Sequence, residues 1–333
     1  MVECYGVRDG VTGVKLKWQP SQPHPGTREN GYRCSLPGLA EFTIYRCEGT
    51  VRTTIKCLNE GGAYCRQNWT HKQARSFFMT KLFSKIEGQG PTLVLLHGLF
   101  GSAGNMGAIV RALRCEYCIH SIDLRNHGRS FHSVDINLKL MAEDISLYCG
   151  EHKLGQVNLL GHSLGGKVAM QVALDYPELV DKLIVADIAP VMYPPKHDKI
   201  FAGLKAVARQ NIASRSAAND ILGGYINDGA VRSFLLKSLV RNASGAYHWR
   251  FNLKSISKHY DELSKENSGD HYLGRTLFIK GADSDYILPE HQNAIELLFP
   301  IAQYRIINGA GHWLHMDKPE LFSSIVRRFL KES

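Results

Sequence analysis

The pentapeptide Gly161-His162-Ser163-Leu164-Gly165 sets a serine hydroxyl between two glycines. A hydroxyl presented at a tight turn is suited to attack on a carbonyl carbon, with an acyl-enzyme as the intermediate. The flanks give the pentapeptide its meaning. Residues 157–160 (VNLL) read as an apolar strand and 165–175 as an amphipathic helix, whereas a chance Gly-Ser-Gly turn would account for neither. Such a sharp turn puts Ser163 in a strained backbone conformation, and only small residues at 161 and 165 let strand and helix approach so closely. It also places the hydroxyl at a helix N-terminus, whose free N–H groups favour developing negative charge.

A serine hydroxyl needs a base within hydrogen-bond reach. Where a strand-turn-helix carries the serine, the chain order is serine, acid, histidine, with the histidine in a loop after the last strand. His312 fits that place, following a strand and the glycine-rich Asn308-Gly309-Ala310-Gly311 turn. The acid has two candidate positions. Asp187 ends the strand 183–187, while Asp283 and Asp285 flank Ser284 after the strand 276–280; Asp187 is preferred. Its task would be to fix the tautomer of His312 and stabilise the imidazolium. For the oxyanion, one donor is the Leu164 N–H. The other belongs to the loop His97-Gly98-Leu99-Phe100-Gly101, with Leu99 N–H preferred over that of Phe100.

Other residues near these motifs receive quieter roles. His97 and His162 flank the nucleophile and read as structural, with His162 also on the pocket wall. Phe100, Phe234, Trp249 and Trp313 are the remaining candidates for a substrate pocket. The apolar side chains Phe201, Phe234, Leu235, Leu236, Trp249 and Phe251 suit an acyl pocket or the core of a helical segment equally well. His312 and His315 form an H-x-x-H pair without a third metal ligand in view, so no metal is expected. Cys115 and Cys118 have redox or zinc spacing but lack a second pair, and read as ordinary thiols.

The elements that must position this chemistry begin at residue 92. Apolar strands at Thr92–Leu96, 118–123, 157–160, 183–187, 276–280 and Gln303–Ile307 alternate with helices at 106–113, 137–148, 165–175 and 318–330. Fully apolar strands alternating with helices imply an α/β fold with a mostly parallel, doubly wound sheet covered on both faces. Between about 190 and 273 the strand rhythm stops and helical patterns take over (200–209, 230–239). A helical insertion there reads as a lid over the strand C-termini, where open α/β sheets place their sites. Residues 1–78 have little periodicity and read as a poorly ordered extension ahead of a domain over 79–333.

Composition narrows the classes. Hydrophobic residues make up 44% and charged residues 21%, which excludes a wholly disordered or fibrous chain. Net charge is +9, and residues 1–75 hold 11 Lys/Arg against 6 Asp/Glu. Without a basic face or stacking motif this does not indicate nucleic acid. No stretch reaches 18 uninterrupted apolar residues, so no transmembrane segment is expected. Five of eight cysteines precede residue 66 and none follows 149, which favours a reducing compartment. The start of the chain lacks the apolar run of a secretory signal.

Seven segments, HGLFGS (97–102), D-x-RNHG-x-S (123–130), GHSLGGK (161–167), DKLIVADIAPV (181–191), FLLKS (234–238), WRFNL (249–253) and GAGHWLH (309–315), occur in order. Together they resemble the YbfF-type esterases of the α/β-hydrolase superfamily, over about residues 81–333. The resemblance implies an α/β-hydrolase fold, serine acyl hydrolase activity without cofactor and, for eukaryotic members, a mitochondrial setting with lipid esters as substrates. It also implies that Asp187 is the acid and that a serine, Ser284, occupies the usual acid position. The chain departs from the group in its long cysteine-bearing N-terminus and in the second acid of Asp283-Ser284-Asp285. The expected function is hydrolysis of a small-molecule acyl ester or thioester by Ser163, Asp187 and His312. The alternatives are a non-catalytic scaffold that binds a partner protein, and acyl transfer to an acceptor other than water. Dehalogenase or epoxide hydrolase chemistry on such a fold would need an aspartate where Ser163 stands. Outside mitochondria, the cytoplasm is the expected location.

Overall fold

The computed structural model describes residues 81–332 in full and, ahead of them, only the backbone of strand segments. Those segments lie in a unit spanning Met1–Lys81, where they pair into a two-stranded and a five-stranded antiparallel sheet. The expectation of a poorly ordered stretch over 1–78 otherwise falls outside the described residues.

The second unit, Leu82–Ser333, runs β1 (Ser84–Glu87), β2 (Thr92–Leu96), α1 (Gly107–Leu113), β3 (Cys118–Ile122), α2 (Leu138–Glu151), β4 (Val157–His162), α3 (Leu164–Asp175) and β5 (Val180–Ala186). A helical insert follows: α4 (Asp198–Ala208), α5 (Arg215–Gly223), α6 (Gly229–Leu236), a hairpin of β6 (Leu239–Arg241) and β7 (Tyr247–Trp249), α7 (Leu253–Lys258) and α8 (Tyr260–Ser264). The chain then returns through β8 (Arg275–Gly281), α9 (Gln292–Leu298), β9 (Gln303–Ile307), α10 (Leu314–Asp317) and α11 (Pro319–Lys331).

Seven strands form one sheet in the order β9-β8-β5-β4-β2-β3-β1. Every pairing is parallel except β1 against β3. The continuous apolar strands are buried on both faces, as their composition requires. Side chains alternate across the sheet: Leu93 and Leu95 face a layer shared with Ile109 of α1 and Phe322 of α11, while Val94 and Leu96 face Met141 of α2 and Val168 of α3. Helix α3 is buried along its whole length from Leu164 to Leu174, so it sits between the sheet and further chain instead of on the surface.

The insert leaves and rejoins the sheet at neighbouring points. Its entry and exit are stitched by Tyr193 N–H to Ser264 O (2.9 Å) and Asn267 N–H to Pro190 O (3.2 Å). Strand β1 and the short hairpin were not expected. The first is a polar edge strand with three of its four residues exposed, and strands of three residues are too short to display a period.

Candidate active site

At the β4–α3 turn Ser163 adopts φ 53°, ψ −121°, a left-handed conformation that only a closely packed turn imposes on a side-chain-bearing residue. Its N–H is tied to Ala186 O of β5 (3.0 Å). A Cβ on Gly161 would stand 2.1 Å from Gly165 O, and one on Gly165 would stand 2.3 Å from Leu96 O. The two glycines are therefore what lets β2, β4 and α3 converge under the serine. As the first residue of α3, Leu164 has an N–H with no intrahelical acceptor.

His312 lies beyond β9, on the loop that leads into α10. Its Nε2 is 3.0 Å from Ser163 Oγ and accepts the hydroxyl proton, while its Nδ1–H donates to Asp187 Oδ2 at 2.8 Å. The partners on the two ring nitrogens set the tautomer. The phenol ring of Tyr286 stacks on the imidazole, 3.9 Å between centroids and 19° between planes, which fixes the ring's tilt. The His312 side chain is 23% exposed and that of Asp187 fully buried.

Asp187 sits one residue past β5 with φ 54°, and its N–H donates to Ile279 O of β8 (2.9 Å). Its Oδ1 accepts the Gly281 N–H (2.9 Å) and its Oδ2 also accepts the Ser284 hydroxyl. A buried carboxylate must be satisfied by donors, and here β8 and the loop after it supply them. The other two acids stand apart from the imidazole: Asp283 is exposed, and Asp285 pairs with Lys196 at 2.6 Å on the surface.

Histidines crowd this region. His162 Nε2–H donates to the His312 carbonyl (2.8 Å), and its ring meets those of His312 and His315. His97 Nδ1–H donates to Gly98 O (2.8 Å), and its Nε2 accepts from Leu124 N–H (3.0 Å). Burial drives the pKa of His162 well below the ordinary value and those of His97, His197 and His315 down to about 4. They are neutral near pH 7 and place no positive charge beside His312.

Ser163 and His312 open onto a cavity of about 110 Å³, walled by Leu99, Phe100, His162, Leu164, Phe234 and Trp313 among others. Trp249 is the exception among the expected wall residues. It stacks on Phe251 (5.3 Å) and its indole N–H donates to Leu204 O (3.0 Å), so it belongs to the core of the insert, where a buried indole finds its hydrogen-bond partner. His315 is buried on the cavity side against His162 and Phe322. Cys115 and Cys118 are free thiols at the α1–β3 turn, away from the cavity-lining residues.

Three polar residues on or beside the cavity escaped the sequence reading as site members. Tyr286 directly follows Asp283-Ser284-Asp285. Lys167, buried on α3, donates to Val191 O (2.5 Å) and to Lys265 O at the two roots of the insert. Ser238 reaches from the insert to Phe100 O (2.9 Å). Lys167 and Ser238 both end segments that carry the family resemblance, GHSLGGK and FLLKS, which was the one available signal.

Comparison with known proteins decides the lineage. The alpha/beta hydrolase fold family matches residues 91–319. The chain belongs to that family. Within it, the chain is 35% identical to esterase YbfF of Escherichia coli over 72% of this chain and 93% of that protein. It is 38% identical to the mouse protein named sn-1-specific diacylglycerol lipase ABHD11, over 72% of this chain and 81% of the relative. A solved marine microorganism esterase superimposes with a TM-score of 0.74 at 38% identity, covering 75% of this chain and 99% of that one. Ester hydrolysis is the activity those names share. Among the described residues, no helix of this hydrolase is long and apolar enough to cross a membrane.

Proposed function

We propose that this α/β hydrolase cleaves carboxylic esters or thioesters through an acyl-enzyme on Ser163. The observation that carries the reading is the unbroken hydrogen-bond chain from Ser163 Oγ through His312 to the buried Asp187, at the floor of a largely apolar cavity. In this reading His312 takes the serine proton as the oxygen attacks the acyl carbon. The N–H groups of Leu99 and Leu164 receive the oxyanion, and His312 returns the proton to the leaving oxygen or sulfur. Water then repeats the sequence on the acyl-enzyme. Asp187 keeps the Nδ1–H tautomer and stabilises the imidazolium without taking the proton.

The walls formed by Phe100, Phe234 and Trp313 favour an apolar acyl group. The cavity is small beside the roughly 300–1,000 Å³ that encloses a drug-sized ligand. Short acyl chains are therefore the best fit with the insert seated as it is, and lipid esters enter only as the insert shifts. Mitochondrial residence, implied by the resemblance, belongs to the same reading.

The test is labelling of the full chain with a fluorophosphonate, with hydrolysis of p-nitrophenyl esters of increasing chain length. Wild type should label at Ser163 and turn over short esters fastest, and Ser163→Ala should abolish labelling and lower kcat by about 10⁶. Near-normal hydrolysis by the alanine variant would overturn the mechanism.

A further inference from the structure

We infer that Ser238, on the helical insert, is a positioning residue that sets the oxyanion loop, so that the insert's seating and transition-state stabilisation are coupled; this rests on the hydrolase reading above.

Phe100 stands in the loop between β2 and α1, yet its ring lies among residues of the insert, 5.4 Å from the Phe201 ring and 5.1 Å from that of Phe251. Its backbone is left-handed, φ 61°, a conformation that a residue with a Cβ keeps only when its surroundings enforce it. The enforcing contact is polar. Ser238 Oγ–H donates to Phe100 O at 2.9 Å, and both groups are buried. Ser238 is itself a fixed donor, since its N–H goes to Leu235 O (2.9 Å) and its carbonyl accepts Arg250 N–H (2.9 Å).

The peptides of the loop pass this constraint on. The Phe100 carbonyl shares a peptide plane with the Gly101 N–H, which donates to Gly98 O at 3.0 Å. Gly98 O also accepts His97 Nδ1–H at 2.8 Å, and it shares its plane with the Leu99 N–H. In a trans peptide the N–H points opposite to the carbonyl. Two planes locked in series therefore fix the direction of the Leu99 N–H, on the loop where Gly98, Leu99 and Phe100 all line the cavity. Removing the Ser238 donor leaves a buried carbonyl without its partner and frees the 100–101 peptide to turn. That turn takes the Gly101 N–H off Gly98 O and loosens the plane that aims Leu99.

The experiment compares Ser238→Ala, Ser238→Cys and Ser238→Thr in the full chain. Readouts are kcat and KM on a short p-nitrophenyl ester, inhibition by an alkyl trifluoromethyl ketone (whose hemiketal on Ser163 carries the oxyanion), inhibition by the product carboxylate, and the melting temperature. Ser238→Ala and the nearly isosteric, weakly donating Ser238→Cys should lose about 10–100-fold in kcat and a matching factor in ketone affinity. KM and carboxylate inhibition should stay within about twofold, and Ser238→Thr should recover most of the loss. Unchanged kcat in the cysteine variant overturns the inference. So does a kcat loss that spares ketone binding, or one that follows the melting temperature without rescue by threonine. A wild-type chain that neither hydrolyses the ester nor binds the ketone would instead overturn the hydrolase reading itself.

Discussion

Asp187 accepts three hydrogen bonds while fully buried, from His312 Nδ1, the Gly281 N–H and the Ser284 hydroxyl. Charge-assisted bonds of this kind hold the carboxylate rigidly under the imidazole. Asp187→Asn should keep the fold but present an N–H to Nδ1 and favour the wrong tautomer, lowering kcat by about 10⁴. The double change Asp283→Asn with Asp285→Asn should leave kcat near wild type, because those side chains are surface groups. Loss of activity in the double variant alone would reverse the assignment. Ser284→Ala removes one donor from Oδ2 and should cost about threefold to tenfold in kcat, as loss of one hydrogen bond to a retained carboxylate does. Steady-state kinetics on one short ester reads all three. Ser163 and His312 were legible because each lies in a local string with its own strand and turn. The preference for Asp187 over Asp283 and Asp285 had less to rest on, since two strand ends carry carboxylates and the donors that reach Asp187 arrive from 94 and 97 residues away in sequence. Tyr286 was invisible for the same reason, its role being created by stacking between loops that the sheet brings together.

Helix α3 carries the link between the sheet and the insert. Lys167 spans from its first turn to the backbone at both roots of the insert, with its ammonium 5.2 Å from the Tyr193 ring. On the same face Gln171 Nε2–H donates to Ser268 O (2.9 Å), and Asn267 donates to Lys167 O (2.8 Å). The hydrophobic periodicity that identified α3 says nothing of this, because lysine and glutamine at buried positions look like solvent-facing residues until a second layer covers them. The apolar strands were legible for the opposite reason: Thr92–Leu96 and its neighbours have no face left for water. Burial lowers the Lys167 pKa to about 7, against an upward pull from Glu266. Between about pH 7 and 10 the unfolded chain thus binds a proton that the folded chain does not. Folding stability should therefore rise with pH in this window, by up to about 1.4 kcal/mol per unit from this group. Lys167→Met keeps the apolar stem and removes the titrating group, so urea midpoints at pH 7.5 and 9.5 should converge relative to wild type. An unchanged difference between the two pH values would show that Lys167 keeps its proton.

Closing a seven-stranded sheet under a helical insert buries imidazoles throughout the C-terminal ends of the strands, and this sets the acid limit of the whole molecule. His97, His197 and His315 are held at about 4, His127 at about 3 and His162 well below its ordinary value, desolvation being the largest cause in each. The unfolded chain protonates these groups near pH 6.5, while the folded chain leaves them neutral. Below that pH the unfolded state binds more protons, so stability must fall as pH drops from about 6.5 toward 4. Each histidine contributes a slope of up to about 1.4 kcal/mol per pH unit. All five act in the same direction, so acidification removes a large part of a total stability of about 5–15 kcal/mol. Loss of activity in acid should accordingly follow cooperative unfolding. Melting temperatures followed by circular dichroism should decline gently from pH 8 to 7, as Lys167 takes up its proton, and fall steeply between pH 6.5 and 5. His127 offers the cleanest single probe, because its Nε2 is buried without a hydrogen-bond partner and its Nδ1–H serves only the Arg125 carbonyl at 2.9 Å. His127→Gln should shift the acid-unfolding midpoint to lower pH while keeping a donor for that carbonyl. A melting temperature that holds level down to pH 5 would mean the imidazoles accept protons in place, and the dry interior drawn around them would be wrong.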